Sequence, residues 1–238
     1  MPAPRRPEII AHRGTPREHP ENSLPGFRRA LEYGVDGIEL DVHVTRDGVP
    51  VVHHDPTLHG PGAPLAGASI AELSLDELRS HELAPGVGVP TLDDAVALAA
   101  GRARLYVEVK ARDAADLVTP HLLGRGDSTP VHSFDHRVSR RARELDDTLP
   151  VGVLSVSYLL DNVAQMRAAG ARDLWQMWAM VDRGLVAEVH AAGGRVIAWT
   201  VNDPAAAVAL ARLGVDGLCT DVPDVIGPAV TRALDAGD

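Results

Sequence analysis

Apolar and polar positions along the chain repeat one unit: a short β-branched run, a polar turn, then an Ala/Leu/Arg-rich stretch of helical period. The strand-like runs are Glu8–Ala11, Gly37–Val42, Leu105–Val109, Val131–Phe134, Val151–Leu154, Leu174–Met177, Val196–Val201 and Val215–Thr220. Helical patterns fall near Ser23–Tyr33, Leu92–Ala100, Ala114–Leu123, His136–Asp147, Asp161–Ala169, Arg183–Ala192, Pro204–Leu213 and Pro223–Ala236. Eight alternations with short connections predict parallel strands joined by helical crossovers, and eight is the number that closes a barrel. The expected fold is therefore α/β, a TIM (β/α)8 barrel. A doubly wound open sheet would show the same alternation. However, no G-x-G-x-x-G turn follows the first strand, which argues against a dinucleotide site.

The rhythm breaks once. After Val42 the chain reads HVTRDGVPVVHHD, where Arg-Asp-Gly between two β-branched runs predicts a hairpin turn. Pro56–Pro90 is then rich in Gly, Pro and Ala, with a short helical piece around Ser74–Ser80. This predicts a small insertion after the second strand, at about residues 43–90, lying over the barrel end where active sites form. The tetrapeptide Gly-Val-Asp-Gly occurs at Gly34–Gly37 and Gly214–Gly217, each time between a helix end and a strand start. Glycine suits a left-handed helix cap there. With no linker or low-complexity segment, residues 1–238 are expected to form a single domain.

Composition narrows the classes. The 238 residues are 45% hydrophobic but only 3% aromatic, so the core must come from Val, Leu, Ile and Ala. Asp and Glu number 33 against 23 Lys and Arg, giving a net charge of −10, which argues against nucleic-acid binding. The lone cysteine, Cys219, excludes an internal disulfide and a cysteine-based zinc site, and is expected to be a buried small hydrophobe. No apolar run matches a signal peptide or a membrane span, so a cytoplasmic protein is the expectation.

Strand alternation then sorts the charged residues. Glu39 and Asp41 share one face of their strand, with Ile38, Leu40 and Val42 on the other. Glu108 and Lys110 do the same opposite Val107 and Val109. In a barrel the apolar set faces the helices, which sends the carboxylates inside near the C-terminal rim. Three buried carboxylates need a cation, and oxygen-only ligands favour Mg²⁺ or Ca²⁺, with Mn²⁺ as a further candidate. His12 and Arg13 close the first strand at the same rim, and the inserted hairpin can bring His53 or His54 over it; spacing alone does not separate those two. Two imidazoles, an arginine and a lysine around a metal suit phosphate ester cleavage. His43, His53, His59, His81, His121 and His190 read as surface or hydrogen-bonded residues, while His19, His132 and His136 stay undecided. Trp199 is either core or an apolar wall for an alcohol.

These residues resemble the glycerophosphodiester phosphodiesterases. The likeness lies in His12-Arg13-Gly14, Pro20-Glu21-Asn22-Ser23, Glu39-Leu40-Asp41-Val42, Thr45-Arg46-Asp47-Gly48 leading to His54-Asp55, and Pro90-Thr91-Leu92. It continues through Val107-Glu108-Val109-Lys110, Ser133-Phe134, Ala198-Trp199-Thr200-Val201-Asn202 and Thr220-Asp221-Val222-Pro223. The resemblance implies hydrolysis of glycerophosphodiesters to glycerol 3-phosphate and an alcohol, through a cyclic phosphate formed by the glycerol 2-hydroxyl. It implies Glu39, Asp41 and Glu108 as metal ligands and His12 and His54 as the acid/base pair. Arg13 and Lys110 would hold the phosphate, and Trp199 would pack on glycerol. Where many members carry an Arg-Thr-Thr segment, this chain has His59-Gly60-Pro61-Gly62-Ala63, which leaves the alcohol open. Two other readings remain: a barrel of the sphingomyelinase-D type that stops at the cyclic phosphate, and an inactive barrel that binds phosphodiesters or metal.

Overall fold

The computed structural model describes residues 6–59 and 65–236. Its strands in chain order are β1 (Glu8–His12), β2 (Gly37–Val44), β3 (Pro50–Val52), β4 (Glu82–Ala84), β5 (Val87–Gly88) and β6 (Arg104–Val109). They continue as β7 (Val131–Ser133), β8 (Val151–Ser155), β9 (Asp173–Met177), β10 (Arg195–Trp199) and β11 (Gly217–Thr220). The helices are α1 (Leu24–Glu32), α2 (Leu75–Leu78), α3 (Leu92–Ala99), α4 (Ala115–Val118), α5 (His136–Leu145), α6 (Asn162–Ala169), α7 (Arg183–Ala191), α8 (Pro204–Leu213) and α9 (Pro223–Asp235).

Among the described residues, eight strands run parallel in the order β1-β11-β10-β9-β8-β7-β6-β2. Pairing of Ile10 with Gly37 and Ala11 with Ile38 joins β1 to β2 and closes the TIM barrel. Most element ends fall within two residues of the expected ones. The helix expected over Ala114–Leu123 instead breaks at Val118 into a 3-10 turn, Thr119–Leu122, because Pro120 has no N–H for the α-helical ladder. Both Gly-Val-Asp-Gly turns open on a left-handed glycine, Gly34 and Gly214. Their aspartates do equivalent work: Asp36 accepts the Ile9 N–H at the start of β1, and Asp216 accepts the Val196 N–H in β10. Each turn thereby fastens the start of the neighbouring strand.

Alternation is obeyed. Ile38, Leu40, Val42, Val107 and Val109 pack outward with Phe27, Leu92 and Ala95 of the helices. Inside the barrel, Ile10, Tyr106, Leu154, Trp175, Ile197 and Cys219 form an apolar plug. At the N-terminal ends of the strands, Glu8 pairs with Arg104 and Arg195 and accepts the Tyr106 hydroxyl. Arg172 bridges Asp173 and Asp127 there. That end of the barrel is closed, so chemistry is left to the other.

The hairpin predicted after β2 is present: β3 returns antiparallel to it, with Val42 opposite Val52. Thr45 and Asp47 hold the turn, and Asp47 also accepts the Leu75 N–H at the start of α2. Val51, Leu58, Ile70 and Leu78 give the insertion its own small core. The departure at His59–Ala63 falls, apart from His59, outside the described residues. No helix among those described is long and apolar enough to cross a membrane.

Candidate active site

The C-terminal ends of β1, β2 and β6 carry the predicted charges. His12 ends β1, and Arg13 follows in a left-handed conformation (φ 55°) that turns its backbone N–H onto the Glu39 carbonyl at 2.9 Å. Gly14, also left-handed, lies so close to α1 that a Cβ would stand 2.9 Å from the Gly26 carbonyl carbon. The His-Arg-Gly run is therefore a backbone requirement as well as a source of side chains. Strands β2 and β6 are in register with Asp41 opposite Glu108, which stacks the carboxylates side by side inside the barrel.

Asp41, fully buried, is held from three directions. Arg13 Nε lies 3.0 Å from Oδ2, Lys110 Nζ lies 3.2 Å from Oδ1, and Asn22 Nδ2 donates to Oδ2 at 2.8 Å. Asn22, left-handed at φ 56°, also accepts the Asp41 N–H. Burial alone would raise the Asp41 pKa, but the two neighbouring cations overcome it and hold the carboxyl below the usual range. Glu39 and Glu108 differ. Burial, reinforced by the Asp41 charge, pushes both up to about 7. Lys110 Nζ, 2.9 Å from Glu108 Oε1, offsets only part of this.

Each catalytic candidate among the histidines is backed by a carboxylate. His12 Nδ1 donates to Asp221 at 2.7 Å, and Asn202 Nδ2 fixes the other Asp221 oxygen at 2.6 Å. A carboxylate only accepts, so the proton sits on Nδ1 and leaves Nε2 as the exchanging nitrogen. Burial works against the His12 imidazolium, yet Asp221 and Glu39 together outweigh it and the pKa stands above its ordinary value. His54 Nδ1 donates to Asp55 at 2.8 Å in the same way. His53 is buried, its Nδ1 donates to the Asp55 carbonyl, and burial lowers its pKa.

A cavity of about 110 Å³ opens among these groups. His12, Arg13, Glu39, His54, Glu108, Lys110 and Trp199 all line it, while His53 does not and Asp41 lies behind. Phe134 meets Trp199 edge-on, with ring centroids 5.5 Å apart, so the two form an apolar wall on one side. One ligand atom each from Glu39, Glu108 and His132 lies within 4.8 Å of the others. Two crowded carboxyls whose ionisation burial opposes, beside an imidazole, fit a divalent cation, whose charge would favour the ionised forms.

Sequence reasoning assigned no role to Asn22, Asp55, Phe134 or Asp221, although each stands inside a run that carries the resemblance. It left His132 undecided. The available signal for Asp55 was its place beside His54; Asn22 and Asp221 act across the fold and announce nothing locally.

Residues 12–225 match the Glycerophosphoryl diester phosphodiesterase family. The probable glycerophosphodiester phosphodiesterase 2 of Mycobacterium tuberculosis is 31% identical over 236 residues, covering 91% of this chain and 88% of that protein. The crystal structure of a glycerophosphodiester phosphodiesterase from Parabacteroides distasonis superposes with a TM-score of 0.83 at 26% identity, covering 98% of this chain and 99% of the other. An Oleispira antarctica phosphodiesterase, solved with its product sn-glycerol-3-phosphate, shares the fold with a TM-score of 0.86 at 24% identity, covering 95% and 97%. This chain belongs to the glycerophosphoryl diester phosphodiesterase family.

Proposed function

We propose that the chain hydrolyses glycerophosphodiesters to glycerol 3-phosphate and an alcohol by His12/His54 acid–base catalysis. One observation carries the reading: two imidazoles, each with Nδ1 engaged by its own carboxylate, border one cavity with Arg13, Lys110 and the acidic cluster. A binding protein has no need of two proton-transfer groups. The product held by the Oleispira enzyme is consistent with this substrate class.

In the first step one histidine takes the glycerol 2-hydroxyl proton as that oxygen bonds to phosphorus. The other gives its proton to the departing alcohol oxygen as its P–O bond breaks. Water then opens the cyclic phosphate with the roles exchanged: the second histidine takes the water proton and the first returns its own to the 2-oxygen. Arg13 and Lys110 hold the phosphate oxygens, and Trp199 packs against the glycerol carbons. Glu39, Asp41 and Glu108 are the acidic set for one divalent cation, which when bound supplies positive charge against the phosphoryl group. The substrate is a small diester that enters from the open end of the barrel.

The test is a coupled assay for glycerol 3-phosphate with glycerophosphocholine, -ethanolamine, -glycerol and -inositol, comparing Mg²⁺, Ca²⁺ and Mn²⁺, with phosphorus NMR on the products. A linear monoester that depends on added metal supports the reading. A cyclic phosphate as end product would move the chain to the sphingomyelinase-D type of reaction, and no turnover on any diester would leave a binding protein.

A further inference from the structure

His132 is an unusual residue for the inside of a barrel. It lies mid-strand in β7, level with Glu108 of β6, and is 1% exposed. Its ring is stacked on Trp175, with centroids 4.1 Å apart and planes 3° from parallel, so its orientation is fixed by packing. Yet neither nitrogen is hydrogen-bonded: Nδ1 is buried without a partner, and Nε2 stands 3.8 Å from Glu39 Oε1, beyond hydrogen-bond reach. Burying an imidazole in this state is costly, and a hydrophobic side chain would fill the same space without that cost. What the ring does face is the acidic cluster. It lines the cavity, and one of its nitrogens falls within 4.8 Å of ligand atoms on both Glu39 and Glu108.

We propose that His132 supplies a nitrogen ligand to the cation held by Glu39 and Glu108, and that it tunes the site away from Mg²⁺ and Ca²⁺ toward borderline first-row ions. An oxygen-only site suits hard cations, whereas one imidazole adds little for Ca²⁺ or Mg²⁺ and much for Co²⁺ or Zn²⁺. Asp41 stays in the ligand set: Arg13 and Asn22 hold its Oδ2, while its Oδ1, 3.2 Å from Lys110 Nζ, makes no hydrogen bond, so the imidazole adds to the acidic ligands and replaces none of them. The expected affinity order is Zn²⁺ and Co²⁺ above Mn²⁺, and Mn²⁺ above Mg²⁺ and Ca²⁺.

The proposal rests on the reading of this cluster as the metal site, but its test needs no turnover. Pulsed EPR of the Mn²⁺-loaded full chain should show a ¹⁴N coupling, converted to ¹⁵N by labelled histidine. The coupling should persist in His12→Ala and His54→Ala and vanish in His132→Gln. Equilibrium dialysis should show His132→Gln losing Co²⁺ and Zn²⁺ affinity while keeping that for Ca²⁺. Removing an outer-shell partner costs about 10–100-fold in metal affinity, so loss of a ligand should cost no less. Absence of any nitrogen coupling in the wild type would overturn the proposal, as would unchanged ion preference in a folded His132→Gln. If that variant does not fold, the labelled wild type with the two rim-histidine variants still decides. Nitrogen coupling without diester turnover would leave the ligand assignment standing and sink the catalytic reading alone.

Discussion

The two halves of the barrel interior are built on opposite principles. Toward the N-terminal ends, Ile10, Tyr106, Trp175 and Ile197 fill the space, and each charge at the floor has an opposite partner: Glu8 with Arg104 and Arg195, Asp173 with Arg172. Toward the C-terminal ends, Glu39, Asp41 and Glu108 crowd together, and Glu39 and Glu108 are driven up to about 7. The lower half satisfies itself. The upper half does so only in part: Arg13 and Lys110 answer Asp41 while burial still opposes the ionisation of Glu39 and Glu108, and perturbed carboxyls of this kind mark it as the candidate working end. Tyr106 and Glu108 belong to the same strand face, two residues apart, so the change from one regime to the other takes a single step of the pleat.

The sharpest way to break this comparison is to remove the proposed proton carriers of the upper half, His12 and His54. His12→Ala and His54→Ala should each lower kcat by about 10²–10⁴-fold with modest change in KM, measured by glycerol 3-phosphate release. Small effects from both would dissolve the acid–base assignment. Asp221→Asn should cost less than His12→Ala, because it removes the charge behind the imidazole but leaves the imidazole itself in place. Its signature is in the pH–rate profile. Asp221, with Glu39, raises the His12 pKa against burial, so without the Asp221 charge the limb owed to His12 should move to lower pH. A limb that stays in place would separate Asp221 from the catalytic ionisation.

Stability should report the same incompleteness. In the folded, metal-free chain burial and the neighbouring Asp41 charge push Glu39 and Glu108 up to about 7, against 4.5 for an ordinary glutamate. Between those values the folded state binds protons that the unfolded chain has released, so stability falls as pH rises through the window, and the loss is complete above about 7. A cation prefers the ionised pair. Its stabilising effect, read as the Tm difference between loaded and metal-free protein, should therefore be small at pH 5 and larger at pH 8. A difference that shrinks with pH would contradict the burial of these two groups.

The smallest effect is expected one residue from the largest. His53→Ala removes the hydrogen bond to the Asp55 carbonyl from a buried side chain, at a cost of about 1 kcal/mol in stability, and should leave kcat nearly unchanged. If His53→Ala is inactive and His54→Ala active, the roles assigned across the hairpin are reversed.

Much of this was legible because it is periodic. Eight apolar runs announce the barrel, and alternation alone puts Glu39, Asp41 and Glu108 inside it. Alternation could not choose between His53 and His54, since it says only that they differ. The resemblance implies His54, which lines the cavity where His53 does not. Asp221 and Asn22 escaped because their work is done over long separations: His12 meets Asp221 across 209 residues, and Asn22 meets Asp41 across 19. His132 escaped for another reason. A histidine between Val131 and Ser133 reads the same whether it faces helices or the barrel axis, and only the register against Glu108 decides.

The most direct measurement is calorimetric titration of the metal-free chain with a divalent cation at pH 7, run in two buffers of different ionisation enthalpy. One saturable ion should bind per chain, with protons released as Glu39 and Glu108 ionise around it. Glu108→Gln, in a chain that still unfolds cooperatively, should weaken the binding and reduce the proton release. No binding, or binding with no proton release that ignores Glu108→Gln, would contradict the assignment of the acidic cluster as a cation site.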